Sequence, residues 1–158
     1  MIEKKELTKE QAKEKALRLL EFRSHSEKEL FDKLIRAGAK KDDIPEIMNF
    51  LKEYGFIDDF KYATCLAHDL QKIKRLGKRR IKEELRQKGI RGEMLEEVLS
   101  ELPEDDGEEL LFLAEKKIAG NFEKKNIERA IRYFAYRGYN FDDIKSCIEK
   151  LEAQYSAD

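Results

Sequence analysis

Apolar residues return along this chain at helical spacing, three or four positions apart, and no stretch of useful length alternates apolar and polar with period two. The pattern therefore predicts helices and no sheet. Three glycines, Gly38, Gly89 and Gly138, stand 51 and 49 residues apart, and each closes a helix-like segment. Aligned on them, five positions match in all three copies. Four residues before the glycine come Leu34, Leu85 and Phe134; eight before, Leu30, Ile81 and Ala130. Six after come Ile44, Leu95 and Ile144; nine after, Ile47, Val98 and Cys147; thirteen after, Leu51, Leu102 and Leu151. Such a period with weak identity and strong pattern marks tandem repeats.

Each repeat reads as three short helices. The first repeat places them at about 9–23, 27–37 and 44–54, the second at 59–75, 78–88 and 92–101, the third at 107–119, 124–137 and 141–154. Thr8 with Gln11 and Ser26 with Glu29 have capping-box spacing. Asp42 or Asp43 is expected to cap the helix that carries Pro45 in its first turn. Asn140 and Asp143 mark the last helix start. The fold class expected is all-α: three tandem three-helix repeats, 1–56, 57–104 and 105–158. Fifty residues in three short helices make a marginal core. Stacked repeats would give an elongated, curved, solenoid-like body of either hand. The stretch LPEDDGEE (102–109) is the expected hinge.

Composition narrows the function. At 158 residues the chain suits one domain or a few small modules; it is 41% apolar and 42% charged. Cys65 and Cys147 are the only cysteines, and His25 and His68 the only histidines. No CxxC or HExxH spacing exists, so no metal site is expected, and the cysteines read as reduced core residues. The N-terminus lacks an apolar h-region, and no apolar run approaches 18 residues, so neither secretion nor a membrane span is expected.

The formal net charge is -1, but the charge is segregated. Residues 72–91, KIKRLGKRRIKEELRQKGIR, hold ten Lys or Arg against Glu83 and Glu84. Residues 92–109 hold nine acidic residues and no basic one. On a helix over 78–88, Ile81 and Leu85 face the core, and Lys78, Lys82 and Arg86 form an i, i+4, i+8 ridge without an acid in it. Arg79 lies beside the ridge. Arg80 and Glu84 are spaced to pair on another face. Lys72, Lys74 and Arg75 end the preceding helix and would share a concavity near Gly77, where helix-start N–H groups can meet an anion. Such a ridge suits nucleic-acid phosphates, and equally an acidic protein surface or plain solvation. Tyr62, Tyr136 and Tyr139 are candidates for stacking on bases, against a packing role for each.

Catalytic constellations are lacking. Asp58 and Asp59 point about 100° apart on a helix and fit caps better than an acid–base pair. Ser24-His25-Ser26 has no orienting acid, and no phosphate-cradling Gly-rich loop exists. The chain is expected not to be an enzyme and to need no cofactor.

YGFIDDFKYA (54–63) and RLGKRRIKEELRQKGI (75–90) resemble signature segments of the RecX family, regulators of the recombinase RecA. ALRLLEFRSHSEKEL (16–30) and RYFAYRGYNFDDI (132–144) are similar to its first and third repeats. The family's motif falls on Asp58, Asp59, Tyr62, Arg75, Gly77, Arg80, Ile81, Glu84, Leu85, Lys88 and Gly89. The resemblance implies a cytoplasmic, non-enzymatic protein of DNA repair and the SOS response, without cofactor. It would bind RecA and the RecA–DNA filament and, weakly, single- or double-stranded DNA. It would lie in the filament groove as a monomer and mostly inhibit RecA's ATPase, strand exchange and co-protease activity. The candidate contact residues are Lys72, Lys74, Arg75, Lys78, Arg79, Arg80, Lys82, Arg86, Lys88 and Arg91. The competing reading is a stand-alone helix-turn-helix nucleic-acid binder. The basic helix carries mostly Lys and Arg and almost no Asn, Gln or Ser, which suits phosphate contact over base readout.

Overall fold

A computed structural model describes residues 5–104 and 107–158. Among them the chain forms nine α-helices and no strand: α1 Lys9–Phe22, α2 Glu27–Ala37, α3 Ile44–Glu53, α4 Asp59–Lys72, α5 Lys78–Gln87, α6 Gly92–Glu101, α7 Glu108–Ile118, α8 Lys124–Tyr136 and α9 Phe141–Ala157. The all-α class and the helix positions agree with the periodicity. Every one of the aligned repeat positions is buried, from Leu30 and Leu34 at 0% exposure to Cys147 at 6%.

The three glycines end α2, α5 and α8 in the same way. Each has positive φ, 105°, 85° and 98° in chain order. The next residue donates its N–H back to the carbonyl four before the glycine: Ala39 to Leu34 at 2.9 Å, Ile90 to Leu85 at 3.0 Å, Tyr139 to Phe134 at 3.1 Å. This is the Schellman closure, which satisfies helix-end carbonyls. It turns the chain at once so that Ala39, Ile90 and Tyr139 are themselves buried.

The helix starts are partly as expected. Thr8 and Gln11 form the full reciprocal box. Ser26 accepts from the Glu29 N–H, but the Glu29 carboxylate is engaged elsewhere. Asp43 occupies the cap position of α3 without a side-chain cap bond, because a 3-10 turn over Lys41–Asp43 leads into that helix. The helix expected to reach 75 stops at Lys72, because Arg75 takes a left-handed φ of 54°. The turn is held by the Tyr139 hydroxyl, which donates to the Arg75 carbonyl at 2.8 Å, and by Arg137, which donates to the Lys74 carbonyl. The last helix runs three residues beyond the expected 154. Cys147 is buried as expected, but Cys65 is exposed, since it sits on the outer side of α4; both are free thiols. Of the expected hinge, residues 105 and 106 lie outside the described residues.

Contacts divide the chain into two compact units. One is the chain up to Leu66 with Leu85–Val98; the other is Ala67–Glu84 with Leu99–Asp158. In the first, α1 packs on α2 and α3 around Ala12, Ala16, Leu30, Leu34, Ile44, Ile47 and Leu51. In the second, α7, α8 and α9 pack on one another around Leu110, Ala114, Ile118, Phe134, Ile144 and Leu151. Burying one such leucine or phenylalanine contributes about 2 kcal/mol.

Within the second unit two backbones meet at glycine. The Gly77 N–H donates to the Arg137 carbonyl at 2.9 Å. A Cβ on Gly77 would lie 2.3 Å from the Gly138 carbonyl oxygen. Gly77→Ala is expected to destabilise by about 2 kcal/mol or more through backbone displacement, which lowers Tm by roughly 4–8 °C. Gly92→Ala adds a Cβ in open space at positive φ, and should cost only about 1 kcal/mol. Thermal melts of the two variants side by side check the ranking; equal losses would contradict the close approach.

Candidate nucleic-acid and protein-contact surface

The residues of the central basic stretch divide into those engaged by the fold and those left to solvent. Ile81 and Leu85 are fully buried on α5. Arg80 hydrogen-bonds Glu84 at 3.0 Å, the i, i+4 pair foreseen from the spacing. Arg79 donates to the Ala135 carbonyl of α8. Arg75 pairs with Glu109 at 3.2 Å and lies over the Phe112 ring. Lys82 is half-buried and has an interaction partner in the protein, so the expected ridge is not wholly unpaired. Lys72, Lys74, Lys78, Arg86 and Arg91 are exposed and make no ion pair among the described residues.

Lys88 has a structural partner. Its ammonium lies 2.9 Å from Glu29, on the first turn of α2, and Arg23 grips the same carboxylate at 2.8 and 3.1 Å. The Glu29 side chain is 11% exposed. Burial pushes its pKa up, but the hydrogen bonds from Arg23 and Lys88 outweigh that and hold it at about 2, from an ordinary 4.5. The Glu29 hydrogen bond in turn raises Lys88. Tyr62 is half-buried nearby, and burial raises its phenol.

The adjacent aspartates both act as caps, but on different helices. Asp58 accepts from the Lys61 N–H at 3.1 Å, at the start of its own helix. Asp59 accepts from the Glu27 N–H at 2.8 Å, at the start of α2. Burial raises the Asp59 pKa. His25 is buried, with Nδ1 2.8 Å from the Arg23 carbonyl and Nε2 2.9 Å from the Lys33 ammonium. Nε2 therefore accepts and the ring is neutral; burial lowers its pKa. It is a packing histidine, not a base poised beside Ser24 or Ser26.

A cleft near Gly77 does exist in the second unit. Lys72, Arg75, Lys78 and Arg79 line it, together with Glu104, Glu108, Glu109, Asp142 and Asp143. It is thus a mixed-charge cleft, and the acids come from segments far in sequence from the basic run. Arg86 and Arg91 line a separate depression with Glu93 and Glu96. Of the stacking candidates, Tyr139 is buried at 7% and Tyr62 half-buried, while Tyr136 is 73% exposed. Sequence reasoning passed over the bidentate hold of Arg23 on Glu29. It also passed over the outer face of α8, although the i, i+4, i+7 spacing of Lys125, Arg129 and Arg132 carries that signal. Among the described residues no cluster of His, Cys, Asp and Glu fits a metal ion, and no helix is long and apolar enough to cross a membrane.

The fold and the surface define a class: an all-helical protein of three-helix repeats with a densely charged exterior. A family model described as "RecX, first three-helix domain" matches residues 12–51, and one described as "RecX, second three-helix domain" matches 58–99. The chain is 36% identical to Regulatory protein RecX of Vibrio parahaemolyticus over 94% of its own length and 96% of that protein. It is 34% identical to Regulatory protein RecX of Clostridium botulinum over 87% of its length and 67% of that protein. A crystal structure of RecX from Lactobacillus salivarius superposes with a TM-score of 0.78 at 25% identity, covering 92% of this chain and 97% of that one. The chain belongs to the RecX family of regulatory proteins.

The Glu29 pKa fixes the pH dependence of its network. The folded value lies below the unfolded one, so the native state binds fewer protons. The contribution is full above pH 4.5 and is lost as pH falls toward 2. Glu29→Gln should therefore cost about 3 kcal/mol at pH 7 and about half as much at pH 3. Urea unfolding of both proteins at the two pH values tests this; a loss independent of pH would mean that the ion pairs contribute nothing.

Proposed function

We propose that this chain binds RecA and RecA–DNA filaments and restrains the recombinase: its ATPase, its strand exchange and its co-protease activity. The observation that carries the reading is membership of the RecX family along nearly the whole chain. The surface supports it, because exposed cations that form no ion pair among the described residues are suited to a filament that offers phosphates and acidic side chains together. Lys72, Lys74 and Lys78 supply that charge before and at the start of α5, and Arg86 and Arg91 supply it at and beyond its end.

Binding alone would do the work. A protein seated on the filament blocks addition of RecA protomers or favours their loss, and neither effect needs a reacting group. An exposed ammonium or guanidinium contributes by releasing counterions from the polyanion, so the interaction weakens with salt. Arg75, Arg80 and Lys88, the cations of the family motif, are already engaged by Glu109, Glu84 and Glu29. In this reading they position the exposed cations more than they touch a partner.

The deciding assay is RecA's ATPase on single-stranded DNA with and without the protein. The rate should fall, at less than one copy per RecA; no change over a wide ratio would refute the proposal. Lys78→Glu with Arg86→Glu should weaken filament binding and flatten its dependence on salt by at least about 1.4 in log–log slope. Both side chains are exposed, so the variant should melt within about 1 kcal/mol of the wild type. Loss of folding instead would show that the two residues are structural.

A further inference from the structure

The outer face of α8 carries a second surface, outside both family-model matches. Ala130 and Phe134 face the core, each at 1% exposure. At about 100° per residue, Lys125, Arg129, Arg132, Tyr133 and Tyr136 fall in one arc roughly 100° wide on the opposite side. All five are exposed, Tyr136 at 73% and Tyr133 at 41%. Glu128 falls at the edge of the arc. Lys125, Arg129 and Arg132 make no ion pair among the described residues. Further cations come from neighbouring elements of the same unit. The Lys117 ammonium lies 4.1 Å from the Tyr133 ring centroid and the Arg137 guanidinium 5.6 Å. The Arg80 guanidinium lies 5.0 Å from the Tyr136 centroid.

From this geometry we infer that the α8 face is a binding site for single-stranded nucleic acid, with bases stacking on Tyr133 and Tyr136 and phosphates held by Arg129, Arg132 and Lys125. The packing of α8 accounts for part of Tyr133, whose ring meets Phe134 edge-on at 5.1 Å, but Tyr136 buries little of its ring. Flat rings interleaved with cations match a chain that presents flat bases between phosphates. A duplex hides its base faces, so the tyrosines add affinity for single strands only. The strip is about 16 Å long, a length for a few nucleotides. An acidic protein surface would use the same cations but would gain little from ring faces, which favours nucleic acid.

The inference stands apart from the RecA reading, since its test contains no RecA. The anisotropy of a labelled oligothymidylate is followed with the full chain, wild type and variants, and with duplex of the same length as competitor. Tyr133→Ala with Tyr136→Ala should weaken single-strand binding by about 10- to 100-fold or more and leave duplex binding unchanged. Tyr133→Phe with Tyr136→Phe should retain the affinity. Arg129→Ala with Arg132→Ala should reduce the log–log salt slope by about 1.4. Tyr136→Ala alone, at an exposed position, serves if the double variant does not fold. Unchanged affinity in folded alanine variants would overturn the site.

Discussion

A chain that must leave a helix sharply and bury its very next residue has few backbone routes, and this chain takes one of them three times. At Gly38, Gly89 and Gly138 the left-handed turn closes the middle helix of a repeat and sends the following residue inward. Each turn is also a point of close approach. A Cβ would fall 2.4 Å from the Lys5 carbonyl at Gly38, 2.6 Å from the Lys28 side chain at Gly89, and 2.4 Å from the Arg80 backbone nitrogen at Gly138. Glycine is thus required for its φ and for its missing side chain at once. The buried positions before and after each turn share its register, so the core follows from the turns.

This dependence explains how much of the fold could be read from the sequence. The glycine spacing and the apolar positions locked to it give the helices, their order and the core, because both are local. What the periodicity misplaced are the ends set by distant groups. The helix expected to reach 75 stops early because Tyr139 and Arg137, more than sixty residues on, take the carbonyls of Arg75 and Lys74. Asp59 was legible as a cap but not as the cap of α2, since the helix it serves begins at Glu27, thirty-two residues earlier. Cys65 looked apolar by type and proved exposed, because residue type does not set the side of the helix.

The candidate surface was less legible, for a physical reason. Counting cations along 72–91 treats every charge alike, whereas the fold sorts them by partner. Glu84 lies one helical turn from Arg80 and could be foreseen. Glu29 and Glu109 lie far from Lys88 and Arg75 in sequence, and only the tertiary structure brings them together. The motif positions that carry the family resemblance are accordingly occupied by the fold: two caps, two core residues, two glycines, three ion-paired cations, Glu84 as the partner of one of them, and the half-buried Tyr62. A signature of this kind identifies the architecture more than the contact surface.

It follows that the groups available to a partner are those the signature does not need. Charges already paired give little to a polyanion, since a phosphate must displace a carboxylate before it gains anything. Exposed, unpaired cations carry no such cost, and their side-chain positions tolerate change without harm to the core. In the second unit both kinds sit side by side: Arg75 held by Glu109, and Lys72 and Lys78 in the same cleft without ion pairs among the described residues. The net charge of -1 is the sum of these opposed local fields. At physiological salt the Debye length is about 8 Å, so each patch acts on what touches it and the distant acids screen little of it. A balanced total charge is therefore compatible with strong local attraction for phosphate. It also limits the indiscriminate binding that a uniformly basic surface would bring.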